Sequence, residues 1–218
     1  HRIARRQRQM CIRDSFKTKQ IIKKIETPKL KKNTLKFLNW FAEYNIIPKG
    51  MALKLILVSG KTANRFDEKF YKNFCSNIKT HSIKLTKEQQ LSLNEINISN
   101  QKFNVHVLQG TTGSGKTIVY FEALKRILEK GFQGLVMLPE IGLTNQFEKK
   151  FIEFFGFSPA IWHSSITKKN KEIIWSGITT GEINVVIGAR SSLFLPFKKL
   201  GLITVSYTHL TLPTSNSV

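Results

Sequence analysis

Acidic residues are scarce in this sequence: 14 Asp and Glu stand against 35 Lys and Arg, a formal net charge of +21. Such an excess points to a polyanionic partner, either nucleic acid or an anionic membrane surface. A lysine-rich compositional bias is the alternative, since Lys, Asn and Ile recur along the whole chain. Cysteine is nearly absent. Cys11 and Cys75 form neither a disulfide framework nor a metal-ligand set. Long apolar runs are missing too: none approaches the ~18 residues that a membrane span requires, and Lys54 interrupts even "MALKLILVSG". No secretory-signal pattern and no internal repeat is visible. The expectation is a reduced, cytoplasmic setting without a membrane partner. Hydrophobic residues at 41% nevertheless suit a globular protein, and 218 residues suffice for one domain plus an appendage.

The charge is uneven. Residues 1–36 hold 13 Lys and Arg against Asp14 and Glu26 alone. Residues 1–15 show no apolar period. Leu35, Phe37, Leu38, Trp40 and Phe41 suggest a short amphipathic helix, with "IIPKG" as the turn after it. Residues 61–84 are polar and irregular, a linker or a small subdomain.

From Leu85 the pattern becomes regular. Thr86 is an N-cap candidate with Gln89 at the capping-box position. "VHVLQ" (105–109) reads as a strand and "TIVYFEALKRILEKG" as a helix closed by Gly131. Strands follow at "GLVMLP", "PAIW", "INVVIG" and "GLITV", separated by helices over "LTNQFEKKFIEFFG" and "TKKNKEIIWSGITTG". Strands alternating with helices imply βαβ units and a mostly parallel sheet. Near-continuous apolar strands imply that helices cover both faces.

"GTTGSGKT" (Gly110, Thr111, Thr112, Gly113, Ser114, Gly115, Lys116, Thr117) fits the phosphate-loop pattern G-x-x-x-x-G-K-[ST] between a strand and a helix. The glycines let backbone N–H groups converge on phosphate oxygens, and the following helix adds its positive end. Lys116 is placed to reach the β- and γ-phosphates of ATP, and the Thr117 hydroxyl to ligate Mg²⁺. A phosphate loop alone does not name the reaction.

Its neighbours narrow the choice. "GTTGSGKT", "LPEIGLT", "WHSSIT" and "VVIGARSSLFLPFKKLGLITV" occur in one order at close spacing. Together they resemble the first motor lobe of the PriA family of bacterial replication-restart DNA helicases, strongly over residues 85–205. "LKFLNWFAEYNIIPKGMALKLIL" is more weakly similar to the end of that family's N-terminal DNA-binding region. The resemblance implies a superfamily 2 motor moving 3′ to 5′ on DNA with ATP and Mg²⁺. It matches Gly113–Thr117 to the catalytic phosphate-loop motif and Gln89 to a position near the adenine, where helix capping is an equal explanation. Pro139, Glu140 and Thr144 match a segment facing the DNA strand, as do Arg190 and Ser191. Ala189 stands where the family usually has Thr. His163 matches a family position best explained by a turn. Phe151, Phe154, Phe155 and Phe157 are better explained as core than as base-stacking groups. Implied partners are forked and single-stranded DNA, primosome proteins and replicative-helicase loading proteins.

The resemblance breaks off after Val205. There the family carries an Asp-Glu-Glu-His segment whose first Asp holds Mg²⁺ and whose Glu positions the attacking water. Ser206, Tyr207, Thr208 and His209 stand in those places, and none supplies the negative charge. "SYTHLTLPT" and "RQRQMCIRDS" resemble translated sequencing-adapter sequence, so residues 206–218 and 1–15 are expected to be non-native. The family's winged-helix domain is shortened or lost within residues 61–84, and its zinc site and second lobe lie outside this chain.

The expected architecture is therefore α/β: a partial RecA-like phosphate-loop NTPase lobe (85–205) with a mostly parallel sheet. A small basic, helical or irregular segment (16–60) precedes it as a remnant of the DNA-binding region. The expected activity is that of an ATP-dependent DNA helicase of primosome assembly and fork restart, with this chain inactive in isolation. Another superfamily 2 translocase, or a DNA-binding protein with a decayed motor, are the rival readings.

Overall fold

The structure, a computed structural model, describes residues 30–57, 70, 71, 74, 84–96, 103–138 and 144–206. Helices α1 (Lys32–Tyr44) and α2 (Lys49–Ile56) come first, then α3 (Lys87–Glu95) and α4 (Lys116–Glu129). Strand β1 (Gln133–Met137), α5 (Thr144–Phe155), β2 (Ala160–Trp162), α6 (Lys168–Thr180), β3 (Val185–Gly188) and β4 (Leu200–Val205) complete the regular elements. A 3₁₀ turn over Arg190–Phe194 leaves the end of β3.

The four strands form one parallel sheet in the order β2-β3-β1-β4. Strand alternation splits its side chains between two cores. Leu135, Met137 and Val186 pack with Ile173, Ile174, Trp175 and Ile178 of α6. Val136, Val185 and Ile187 pack on the other face with Phe121 and Leu124 of α4 and Phe151, Phe154 and Phe155 of α5. All three α5 aromatics, and Phe157 after them, are buried, which makes them core groups as expected. Helices thus cover both faces of β1 and β3, as their apolar residues require, whereas β4 leaves Ile203 and Val205 exposed.

Caps follow the sequence signals. Thr86 and Gln89 form a reciprocal capping box on α3. Thr167 caps α6, and Gly181 ends it with φ +91.

The segment expected as a strand at 105–109 has no ladder partner among the described residues; residues 103–110 are irregular, and Phe103, Val105 and Val107 are exposed. Only Leu108 packs, beside Leu202 of β4 and Leu93 of α3. Alternating apolar residues favour a strand only when a partner supplies ladder hydrogen bonds.

Two features emerge only in three dimensions. Residues 49–56 form helix α2, which folds back on α1 around buried Leu38, Ala42, Ala52 and Ile56. This hairpin is fastened to the sheet layer: Trp175 Nε1 donates to Ile56 O at 2.9 Å, and Phe41 meets Phe194 edge-on at 4.9 Å. Within the stretch read as a linker, Tyr71 is buried in the α6 core and its hydroxyl donates to Ile173 O at 2.9 Å.

Candidate nucleotide-binding site

Helix α4 runs back along the sheet into β1, so its N-terminus lies at the edge where the parallel strands end. Ligands of open parallel sheets bind at that edge. The loop before α4 turns through two left-handed glycines, Gly113 (φ +85) and Gly115 (φ +82). A side chain at either would be strained. At Gly115 a Cβ would also collide with the Gln89 Nε2, and at Gly110 it would lie 2.6 Å from Ser114 Oγ. The loop is therefore closed around Gly110 and Gly115, with the orphan N–H groups of the first α4 turn at its floor.

Lys116 arches over this cradle. Its Nζ donates to Gly110 O at 2.6 Å and Thr111 O at 2.7 Å, which holds the ammonium at the loop mouth. Gln89 makes the expected cap and a second contact, to the loop. Its Oε1 accepts from Thr86 N at 3.0 Å within the cap, while its Nε2 donates to Ser114 O at 3.1 Å. The cap of α3 thereby buttresses the loop across 25 residues of sequence.

Thr117 lies in the first turn of α4, and Tyr120 one turn further. The Tyr120 hydroxyl lies 3.4 Å from Thr117 Oγ1. Burial pushes its phenol above the ordinary range, partly countered by hydrogen bonds to Thr117 and to Ser206. Sequence reasoning passed over Tyr120 because its place in α4 reads simply as apolar helix face. Ser206 continues the ladder past β4, its N–H donating to Met137 O at 3.0 Å. The residue following the last strand thus stands beside Met137 and Tyr120, at the position where the family carries its acidic motif.

The donor set fits the phosphate end of a nucleotide and offers Mg²⁺ one hydroxyl, from Thr117. It offers no carboxylate at the end of β4, where Ser206 stands. Among the described residues no group of three or more His, Cys, Asp or Glu gathers as a metal site, and no helix is long and apolar enough to cross a membrane.

The remaining site candidates are only partly brought together. Arg190 and Ser191 are exposed on the 3₁₀ turn at the same strand-end edge. Buried Ser192, not singled out from sequence, anchors that turn by donating to Ala189 O at 2.6 Å. His163 accepts from Ser165 N at 3.2 Å, a turn role as expected. Pro139 and Glu140 lie outside the described residues, and Thr144 opens α5.

Comparison with known proteins assigns the family. The profile of DEAD/DEAH box helicases matches residues 86–209. The chain is 40% identical over 198 residues to the replication restart protein PriA of Rickettsia conorii, covering 86% of this chain and 29% of that protein. It is 37% identical over 133 residues to PriA of Bacillus subtilis, covering 60% of this chain and 16% of that one. PriA of Haemophilus influenzae is 38% identical over 125 residues, 57% of this chain and 17% of its own length. The chain thus spans under a third of the relatives' length. With the phosphate loop, the parallel sheet and the profile match coinciding over more than half of its residues, the chain belongs to the DEAD/DEAH box helicase family.

Proposed function

We propose that this chain carries the nucleotide-binding lobe of an ATP-dependent 3′–5′ DNA helicase of the PriA type, acting in primosome assembly and restart of stalled replication forks. The observation that carries the reading is the closed glycine cradle under Lys116 at the strand-end edge of a helicase-family lobe. Residues 85–205 form this lobe, residues 16–60 the remnant of a DNA-binding region, and residues 61–84 the connection between them. Residues 1–15 and 206–218 are foreign to both.

In this reading Gly110–Thr117 hold the phosphates, and Lys116 swings from the Gly110 and Thr111 carbonyls to the β- and γ-phosphates. Gln89 keeps the loop in register and lies towards the adenine. Thr117 supplies a hydroxyl to Mg²⁺, which when bound offsets phosphate charge. Arg190 and Ser191, with the segment of Pro139, Glu140 and Thr144, face DNA from the same edge. The partners are forked and single-stranded DNA, primosome proteins and replicative-helicase loaders, in a bacterial cytoplasm. The family's zinc site lies outside this chain.

A fluorescent-nucleotide titration tests the lobe: the chain binds ATP or ADP weakly, and Lys116→Ala loses most of that affinity. Equal binding by the variant removes the assignment. DNA binding is expected to be sequence-independent and to weaken steeply with salt, as phosphate contacts do. Affinity unchanged at ~0.5 M salt excludes them.

A further inference from the structure

We propose that Tyr120 is a positioning residue for the Thr117 hydroxyl, orienting it towards the cation that accompanies the nucleotide. This rests on the nucleotide reading of the loop and goes beyond it, since no expected site residue lies in α4 past Thr117.

The geometry is specific. Thr117 and Tyr120 are three residues apart on α4 and so share one face. The Tyr120 ring has little freedom: it stacks on Phe147 with centroids 6.2 Å apart at 12°, and meets Phe121 edge-on at 5.3 Å. Its hydroxyl is thereby held 3.4 Å from Thr117 Oγ1. The Thr117 and Tyr120 hydroxyls thus form a chain of two at the start of α4.

The chemistry gives this chain a purpose. A threonine hydroxyl ligates a cation through an oxygen lone pair, so its proton must point elsewhere. A helical Thr otherwise turns its hydroxyl to the carbonyl one turn back, which takes the oxygen away from the loop mouth. Tyr120 offers an alternative acceptor on the side away from the phosphates. Each hydroxyl both donates and accepts. With the cation present, Thr117 donates to Tyr120; without it, the Tyr120 hydroxyl donates to Thr117 Oγ1. The packed ring fixes where that acceptor stands.

The bland role of Tyr120 is a core aromatic whose hydroxyl merely finds a partner. The two roles separate experimentally, because Tyr120→Phe keeps the ring and removes only the oxygen. The measurement is affinity of the 218-residue chain for a fluorescent ADP, with saturating Mg²⁺ and with EDTA. The ratio of the two affinities cancels any general loss of folding. That ratio should fall about five- to tenfold in Tyr120→Phe, the equivalent of one hydrogen bond. In a Thr117→Ala background, Tyr120→Phe should have no further effect. The proposal is overturned if Tyr120→Phe keeps the parent ratio, if its effect persists without the Thr117 hydroxyl, or if Mg²⁺ does not alter ADP affinity of the parent chain. The first two outcomes leave the nucleotide reading intact. That reading instead fails if Lys116→Ala binds like the parent.

Discussion

Strands β1 and β4 are neighbours, parallel and similarly apolar, yet they live in different environments. Every residue of β1 is buried, whereas β4 alternates between exposed and half-buried. The difference is one of neighbours. β1 lies between β3 and β4 with a helical layer on each face, while β4 pairs only with β1 among the described residues. The segment at 103–110, which has strand character, pairs with no strand among the described residues, although Leu108 packs against the same cluster as Leu202. Apolarity selects strands, but position in the sheet decides what each strand contributes. The proposed nucleotide site lies on this boundary, with its loop on α4, which packs into the core, and the less buried β4 beside it.

The sharpest test of that contrast is a pair of core and edge substitutions. Phe121 is buried among Phe147, Phe151, Phe154 and Phe155. Phe121→Ala should cost ~3–5 kcal/mol in denaturant unfolding. Ile203→Ser on β4, 42% exposed, should cost ~0.5 kcal/mol or less. Comparable losses would show that β4 is as deeply packed as β1.

The loop itself should respond next. Gly115→Ala imposes a side chain at φ +82 and against Gln89. Strain there should cost ~1–3 kcal/mol, and nucleotide affinity should fall with it. A parent-like melting temperature and affinity would mean that the loop does not need its left-handed turn. The smallest effect is expected at the α3 cap: Thr86→Ala should cost ~1 kcal/mol. It should also weaken nucleotide binding slightly, because Gln89 links that cap to Ser114. Unfolding and titration of the same variant measure both, and a stability loss without any change in binding would uncouple cap from loop.

Much of this was legible in the sequence. The four sheet strands are short apolar runs, the helix caps at Thr86 and Thr167 bear hydroxyls, and the glycine spacing from Gly110 to Gly115 announces the loop. What escaped depends on contacts distant in the chain. Residues 49–56 look like an apolar run until α1 gives them a face to cover. Gln133 reads as a polar residue ahead of a strand, yet it is buried and serves three backbone groups. Its Nε2 donates to Ile178 O and Ile183 O, and its Oε1 accepts from Lys199 N. Tyr120 carries no motif, and only the fold brings its hydroxyl between Thr117 and Ser206. The strand character of 105–109 misled because it describes the segment and not the partner that a strand needs.

The central claim is that this chain holds a complete phosphate cradle without the acidic group that would make it a motor. Phosphate release from ATP, with and without single-stranded DNA, tests it most directly. The 218-residue chain should show no DNA-stimulated hydrolysis, since no carboxylate stands at the end of β4 to position water, and an arginine supplied in trans is itself worth ~10³ or more in related NTPases. Replacing residues 206–218 with an Asp-Glu-Glu-His segment alone should leave it inactive, and adding the family's second lobe as well should restore turnover. Robust DNA-stimulated turnover by the unmodified chain would contradict the account.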